Sequence, residues 1–141
     1  MACNCKGCKY YSVILMKKKF VSSWKRSKQP RKQRKYRARA PLHVKQKFMG
    51  GHLSKDLKKK YGKRSIAVKK GDRVKIARGE FKNKIGKINR IDLKARKAYI
   101  DGIETIKKDG TKVFRPLRPS NLIILELNLD DKKRVKILAR K

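Results

Sequence analysis

Three cysteines and two histidines are the side chains of this sequence best suited to metal ligation or nucleophilic chemistry. Cys3-x-Cys5-x-x-Cys8 is a candidate thiolate metal site, but a closed structural zinc site takes four ligands and the motif brings three. His43 and His52 stand at ligand spacing to neither a thiol nor a carboxylate, so both are read as hydrogen-bonding groups. The ten acids are scattered, and neither a glycine-rich nucleotide loop nor a zinc pattern is present. The chain therefore reads as a non-enzyme, with no cofactor, no bound metal and no small-molecule substrate. The abundant chemistry is cationic. Forty-five Lys and Arg against ten Asp and Glu give +35 over 141 residues, and self-repulsion of that size opposes compaction unless a polyanion neutralises it. The expected partner is nucleic acid.

The charge is concentrated in an arm. From Lys17 to Arg39 there is no acid, while Lys25, Arg26, Lys28, Arg31, Lys32, Arg34, Lys35, Arg37 and Arg39 follow the opening lysines. So few apolar groups cannot bury the segment, which predicts disorder when free and order when phosphates bind it. Its arginines can fork onto phosphates, and Trp24 and Tyr36 offer ring faces to unpaired bases. A nuclear localisation tract is the alternative use of such a run.

The element around which the rest of the chain is arranged is a hairpin between Lys70 and Asp92. Val74 and Ile76 alternate with Arg73 and Lys75, the period of a half-buried strand. The loop Arg78-Gly79-Glu80-Phe81-Lys82-Asn83-Lys84 follows, in which Gly79 and Asn83 are the residues most tolerant of positive φ. Ile85, Ile88 and Ile91 mark a second strand, with Gly86 where a side chain would crowd a neighbouring backbone.

Two short basic helices are predicted ahead of it. One runs from Pro41 to a stop at Gly50 and carries His43, Lys45 and Lys47. The other has Ser54 as N-cap and Gly62 at its end, and both helices are expected to lie on RNA, with His43, Lys45 and Lys47 among the contacts. After the hairpin, a strand is expected over Ala98–Ile103, a hairpin around Asp109-Gly110, a proline-restricted loop over 115–121 and a last strand over Leu122–Leu127. Strands this short and regular predict a small closed barrel. Acids at Asp130-Asp131 and bases at the end suit a terminal helix that packs weakly or docks on RNA. The resulting organisation is a tail over 1–15, a basic arm over 16–64, a barrel over 65–129 and a helix over 130–141. No apolar run approaches the roughly eighteen residues of a membrane span, and YYSVILM at residues 10–16 lacks the flanks of a secretory signal. The chain reads as intracellular, without membrane insertion.

The hairpin resembles the KOW motif, an RNA-binding element of ribosomal proteins and transcription elongation factors. The resemblance rests on Gly71-Asp72, Val74, Ile76, Gly79-x-Phe81-Lys82 and Gly86-Lys87-Ile88, with Asn83 where the pattern usually has glycine. Ala40-Pro41-Leu42-His43, Leu53 to Leu57, Lys60-Tyr61, Arg64-Ser65, Pro119-Ser120-Asn121 and Leu129-Asp130 occur in the order of one family. It is the large-subunit ribosomal protein family numbered twenty-four in the universal scheme and twenty-six in the eukaryotic one, in its eukaryotic and archaeal branch. A chain beginning at Met16 would start where that family normally starts, so residues 1–15 are either a lineage-specific tail or the product of a misplaced start.

The resemblance implies a mostly β fold: an Src-homology-3-like β-barrel bearing the KOW motif, an extended basic arm with short helices before it and a helix after it. It also implies a structural protein of the cytoplasmic ribosome, assembled in the nucleolus if the host is eukaryotic. Its partners would be the 5′ domain of large-subunit ribosomal RNA and neighbouring ribosomal proteins, near the peptide exit tunnel. By that analogy Arg78, Gly79, Lys82, Asn83 and Lys84 grip RNA, and Arg64, Ser120 and Asn121 are further RNA-binding residues. Phe81 is either core or a stacking ring, and a small barrel's need for large apolar groups favours core. The alternative function is a KOW-domain elongation regulator or general nucleic-acid binder. An elongation regulator would normally bring a further folded domain, which this chain has no length to supply.

Overall fold

A computed structural model describes residues 20–140. The cysteine motif, the opening lysines and the alternative start lie outside the described residues. The chain divides into two compact units at Pro41, and they are built on different principles.

The described part of the first unit is helical. Ser22–Arg26 forms a 3-10 turn and Pro30–Arg39 a helix, α1. Pro30 pre-sets φ for the first turn, and the Lys, Arg, Gln and Ala that follow are good helix formers despite their mutual repulsion. Gln33 ties turn to helix, its side-chain amide donating to the carbonyls of Trp24 at 2.9 Å and Ser27 at 2.7 Å. Tyr36 is buried, with its ring centroid 5.0 Å from that of Phe20. The face expected to meet unpaired bases is therefore spent on packing.

The second unit begins at Leu42, so the boundary expected between residues 64 and 65 falls inside it. Its elements are α2 (Leu42–Lys47), β1 (Gly50–Leu53), α3 (Lys55–Tyr61), β2 (Ser65–Ala67), β3 (Arg73–Ile76), β4 (Ile85–Asp92), β5 (Lys97–Ile100), β6 (Glu104–Ile106), β7 (Lys112–Phe114), β8 (Leu122–Glu126) and α4 (Lys132–Ala139). Six strands form one sheet in the order β2-β1-β8-β3-β4-β5, and β6-β7 form a separate ribbon. The domain is barrel-like rather than the closed barrel expected, since no ladder joins β2 to β5 among the described residues. β5 ends at Ile100, earlier than expected, because Asp101-Gly102 turns the chain with Gly102 at φ 77°.

β1 stands where the end of a helix is expected. It is a strand held by ladders on both sides, and Gly51 makes room there for the side chains of Val68 and Ile124. A Cβ on Gly51 would lie 2.8 Å from Cγ1 of Val68, and β1 pairs antiparallel with β2 and parallel with β8. α3 forms as its capping residues dictate: Ser54 Oγ accepts from the Leu57 N–H, and Gly62 closes the helix at φ 63°.

The core sits under the sheet. Met49, Leu53, Val74, Ile76, Ile88, Ile100, Ile103, Leu122 and Ile124 are essentially inaccessible, which bears out the alternation read in β3. Gly86 stands where β4 passes close to the end of β5. A Cβ there would lie 2.5 Å from Cγ2 of Ile100 and 2.6 Å from the carbonyl oxygen of Asp101. Because one obstacle is backbone, Gly86→Ala is expected to cost about 1–3 kcal/mol, seen as a lower urea midpoint with an unchanged m value. An unchanged midpoint would show that the crowding relaxes freely.

α4 is not the weakly packed helix expected. Leu138 is buried in the core, and Arg134 is only 2% exposed. Its guanidinium donates from Nη1 to Oδ1 of Asp72 at 2.6 Å and from Nη2 to Oδ2 at 2.7 Å, a bidentate pair. Nη1 also donates to the carbonyl of Asn128 at 2.7 Å, and the Asp72 carboxylate accepts the N–H groups of Lys69 and Asn128. At the start of α4, Asp131 caps the helix by accepting from the Lys133 N–H. Hydrogen bonding to the Lys69 ammonium, and then to that N–H, holds the Asp131 carboxyl below the usual carboxylate range.

Candidate nucleic-acid interface

The loop between β3 and β4 is a closed structure with its cations turned outward. Asn83 N–H donates to the Ile76 carbonyl at 2.8 Å, and Lys82 N–H to the Gly79 carbonyl at 3.0 Å. Gly79 takes φ 101° and Asn83 φ 69°, so both positions read as left-handed are left-handed. Arg78, Gly79, Lys82, Asn83 and Lys84 are exposed. Phe81 is half-buried and packs against the core, with the Lys84 ammonium 5.1 Å from its ring centroid. It serves as core, as expected from barrel size.

Ala77 N–H donates to the Asn121 carbonyl at 2.8 Å, which brings the turn Pro119–Asn121 against the start of this loop. Leu53 N–H donates to the Arg64 carbonyl and Ser54 N–H to the Ile124 carbonyl, which draws the α3 region to the same place. The result is an open cleft of ≈ 630 Å³ lined by Arg64, Arg78, Ser120 and Asn121, with His52, Lys55 and Lys58 on its walls. Residues from three separate stretches of the sequence thus meet, and among the described residues no carboxylate lines the cleft with them.

A second cleft of ≈ 260 Å³ shares Arg78 and Asn121 with the first and adds Lys97, Arg115 and Arg118. Glu80 is the one acid among its described lining residues. The three ion pairs found among the described residues use none of these cations. Such a concentration of unneutralised charge around hydrogen-bonding Ser and Asn side chains suits a phosphate backbone followed by base or sugar edges.

Lys55, Lys58, Lys97, Arg115 and Arg118 are site residues that sequence reasoning does not single out. The signal for the last two is present in Arg115-Pro116-Leu117-Arg118-Pro119, where proline denies the segment a place in a central strand and leaves its arginines at the surface. On α2, His43 and Lys47 are exposed and Lys45 is half-buried, and none of the three lines either cleft. In the first unit, Arg31, Arg34 and Arg37 form an exposed stripe three residues apart on α1. Lys25, Arg26 and Lys28 are exposed before the helix, and Lys32, Lys35 and Arg39 are half-buried on it. Among the described residues no group of three or more His, Cys, Asp and Glu could hold a metal ion, and no helix is long and apolar enough to cross a membrane.

Residues 27–141 match the family model that describes the ribosomal proteins called L26 in eukaryotes and L24 in archaea. The chain belongs to this family. Among curated relatives, the large ribosomal subunit protein uL24 of Methanosphaera stadtmanae is 48% identical over 115 residues, covering 82% of this chain and 98% of the relative. The uL24 proteins of Methanosarcina barkeri and Methanothrix thermoacetophila are each 50% identical over 114 residues, covering 81% of this chain and 98% of their own length. As a member of the uL24 family the chain is a structural constituent of the large ribosomal subunit, in a class of proteins that are not enzymes. The matched region takes in α1, both clefts and α4, and leaves the cysteine motif outside it.

Proposed function

We propose that this chain binds large-subunit ribosomal RNA with two basic surfaces, the pair of clefts meeting at Arg78 and the arginine stripe of α1. The observation that carries this reading is the meeting of Arg64, Arg78, Arg115 and Arg118 around Asn121, none of them in an ion pair among the described residues. Each phosphate neutralised there releases condensed counterions, so binding is strong and steeply dependent on salt. The rigid loop and the Asn121 turn fix the register of the protein on the RNA, while the arm adds phosphate contacts of its own.

By family resemblance the RNA is the 5′ domain, bound early in subunit assembly near the peptide exit tunnel. Neighbouring ribosomal proteins are the other partners, and the site of action is the cytoplasmic ribosome, after nucleolar assembly if the host is eukaryotic. The test is sedimentation of a cell lysate at low and high salt, with the chain located by intact-mass spectrometry. Retention on the large subunit through a high-salt wash is expected. Release into the free fraction, or migration with polymerase, would replace this reading with that of a general binder or elongation regulator.

A further inference from the structure

We propose that Tyr99 and Arg90 form a stacking platform for an unpaired RNA base at the edge of the basic clefts, an inference that rests on the RNA-binding reading above. Ala98 and Ile100 are fully buried, so Lys97 and Tyr99 stand on the opposite, outward face of β5. Tyr99 is half-exposed, and Arg90 lies directly opposite it on β4. The guanidinium carbon of Arg90 is 4.6 Å from the Tyr99 ring centroid, within cation–π range. Arg90 is exposed and belongs to none of the ion pairs among the described residues.

A cation over a ring is common support for a sheet, and that alone names no ligand. Its surroundings do. Lys97, two residues along the same face, lines the smaller cleft with Arg115 and Arg118. Two residues of strand span roughly 7 Å, so a phosphate held by that cleft leaves its neighbouring nucleotide beside Tyr99. Ala98 and Leu117 exchange backbone hydrogen bonds at 2.8 and 2.9 Å, which fixes the Arg115–Arg118 segment against β5 and makes cleft and platform one rigid surface. Bases stack on both aromatic rings and guanidinium planes, and every base has such a face. The site therefore takes a single-stranded nucleotide without selecting its identity.

The test compares the full chain binding a single-stranded oligoadenylate with its binding to an abasic phosphate chain of equal length and charge, by fluorescence anisotropy. Tyr99→Leu is expected to weaken oligoadenylate binding by roughly tenfold, with the abasic chain and the salt slope unchanged. Tyr99→Phe should retain affinity. Tyr99→Trp, in a Trp24→Phe background, should be quenched by oligoadenylate and not by the abasic chain, which reports stacking even if the leucine variant folds poorly. Equal losses on both ligands, or no quenching, would overturn the platform while leaving salt-dependent binding intact. Failure of the parent chain to bind either ligand in a salt-dependent way would overturn the RNA-binding reading and the platform together.

Discussion

Asp72→Ala is expected to lower the melting temperature of the second unit by roughly 12–40 °C, because removing one partner of a buried ion pair costs about 3–5 kcal/mol. The substitution leaves the Arg134 guanidinium, 2% exposed, without its countercharge. It also orphans the Lys69 and Asn128 N–H groups that the carboxylate accepts. A small domain has only about 5–15 kcal/mol to lose, so a large share of the population should unfold near growth temperature. The double substitution Asp72→Leu with Arg134→Met should melt above Asp72→Ala, since it removes the stranded charge as well as the pair. A single substitution that melts within a few degrees of the parent would show that water reaches the pair and that the remaining contacts of α4 hold it in place.

Replacing Arg64, Arg78, Arg115 and Arg118 together by glutamine should reduce the slope of log K against log salt by about 3, at roughly 0.7–0.9 per phosphate contact. All four are exposed, so thermal stability should hold, and the measurement is titration of ribosomal RNA fragments at several salt concentrations. Glutamine at Arg31, Arg34, Arg37 and Arg39 should flatten the slope in the same way, and the two effects should add if arm and clefts contact separate phosphates. An unchanged slope in either set would remove that surface from the interface.

Legibility in the sequence follows the range of the interaction. The β3 strand, the positive φ at Gly79 and Asn83 and the Asp109-Gly110 hairpin are set by residues within a few positions of each other, and all are found in the structure. β1 escapes the sequence because Gly50 and Gly51 end a helix as readily as they start a strand. What decides between them is a parallel ladder to residues 123 and 124. The Asp72–Arg134 pair is hidden for a related reason. One arginine among forty-five cations carries no local mark of burial, and its partner lies 62 positions away. In the first unit, the bond from Gln33 to the Trp24 carbonyl has no signature in the sequence. For the interface, cations can be counted from sequence, but only the meeting of the Asn121 turn with the β3–β4 loop shows which of them share a surface.

The position of β8 in the sheet also governs how the protein is made. β8 lies between β1 and β3, yet it is synthesised after both, with Ile76 ending β3 and Leu122 starting β8. At about 5–20 residues per second, roughly 2–9 s of translation separate the two. During that interval the nascent chain carries two half-sheets with bare inner edges, each able to pair with a strand of another molecule. Its excess of positive charge keeps such molecules apart. The cations that hold the finished protein on RNA thus also act as its protection while the central strand has yet to emerge.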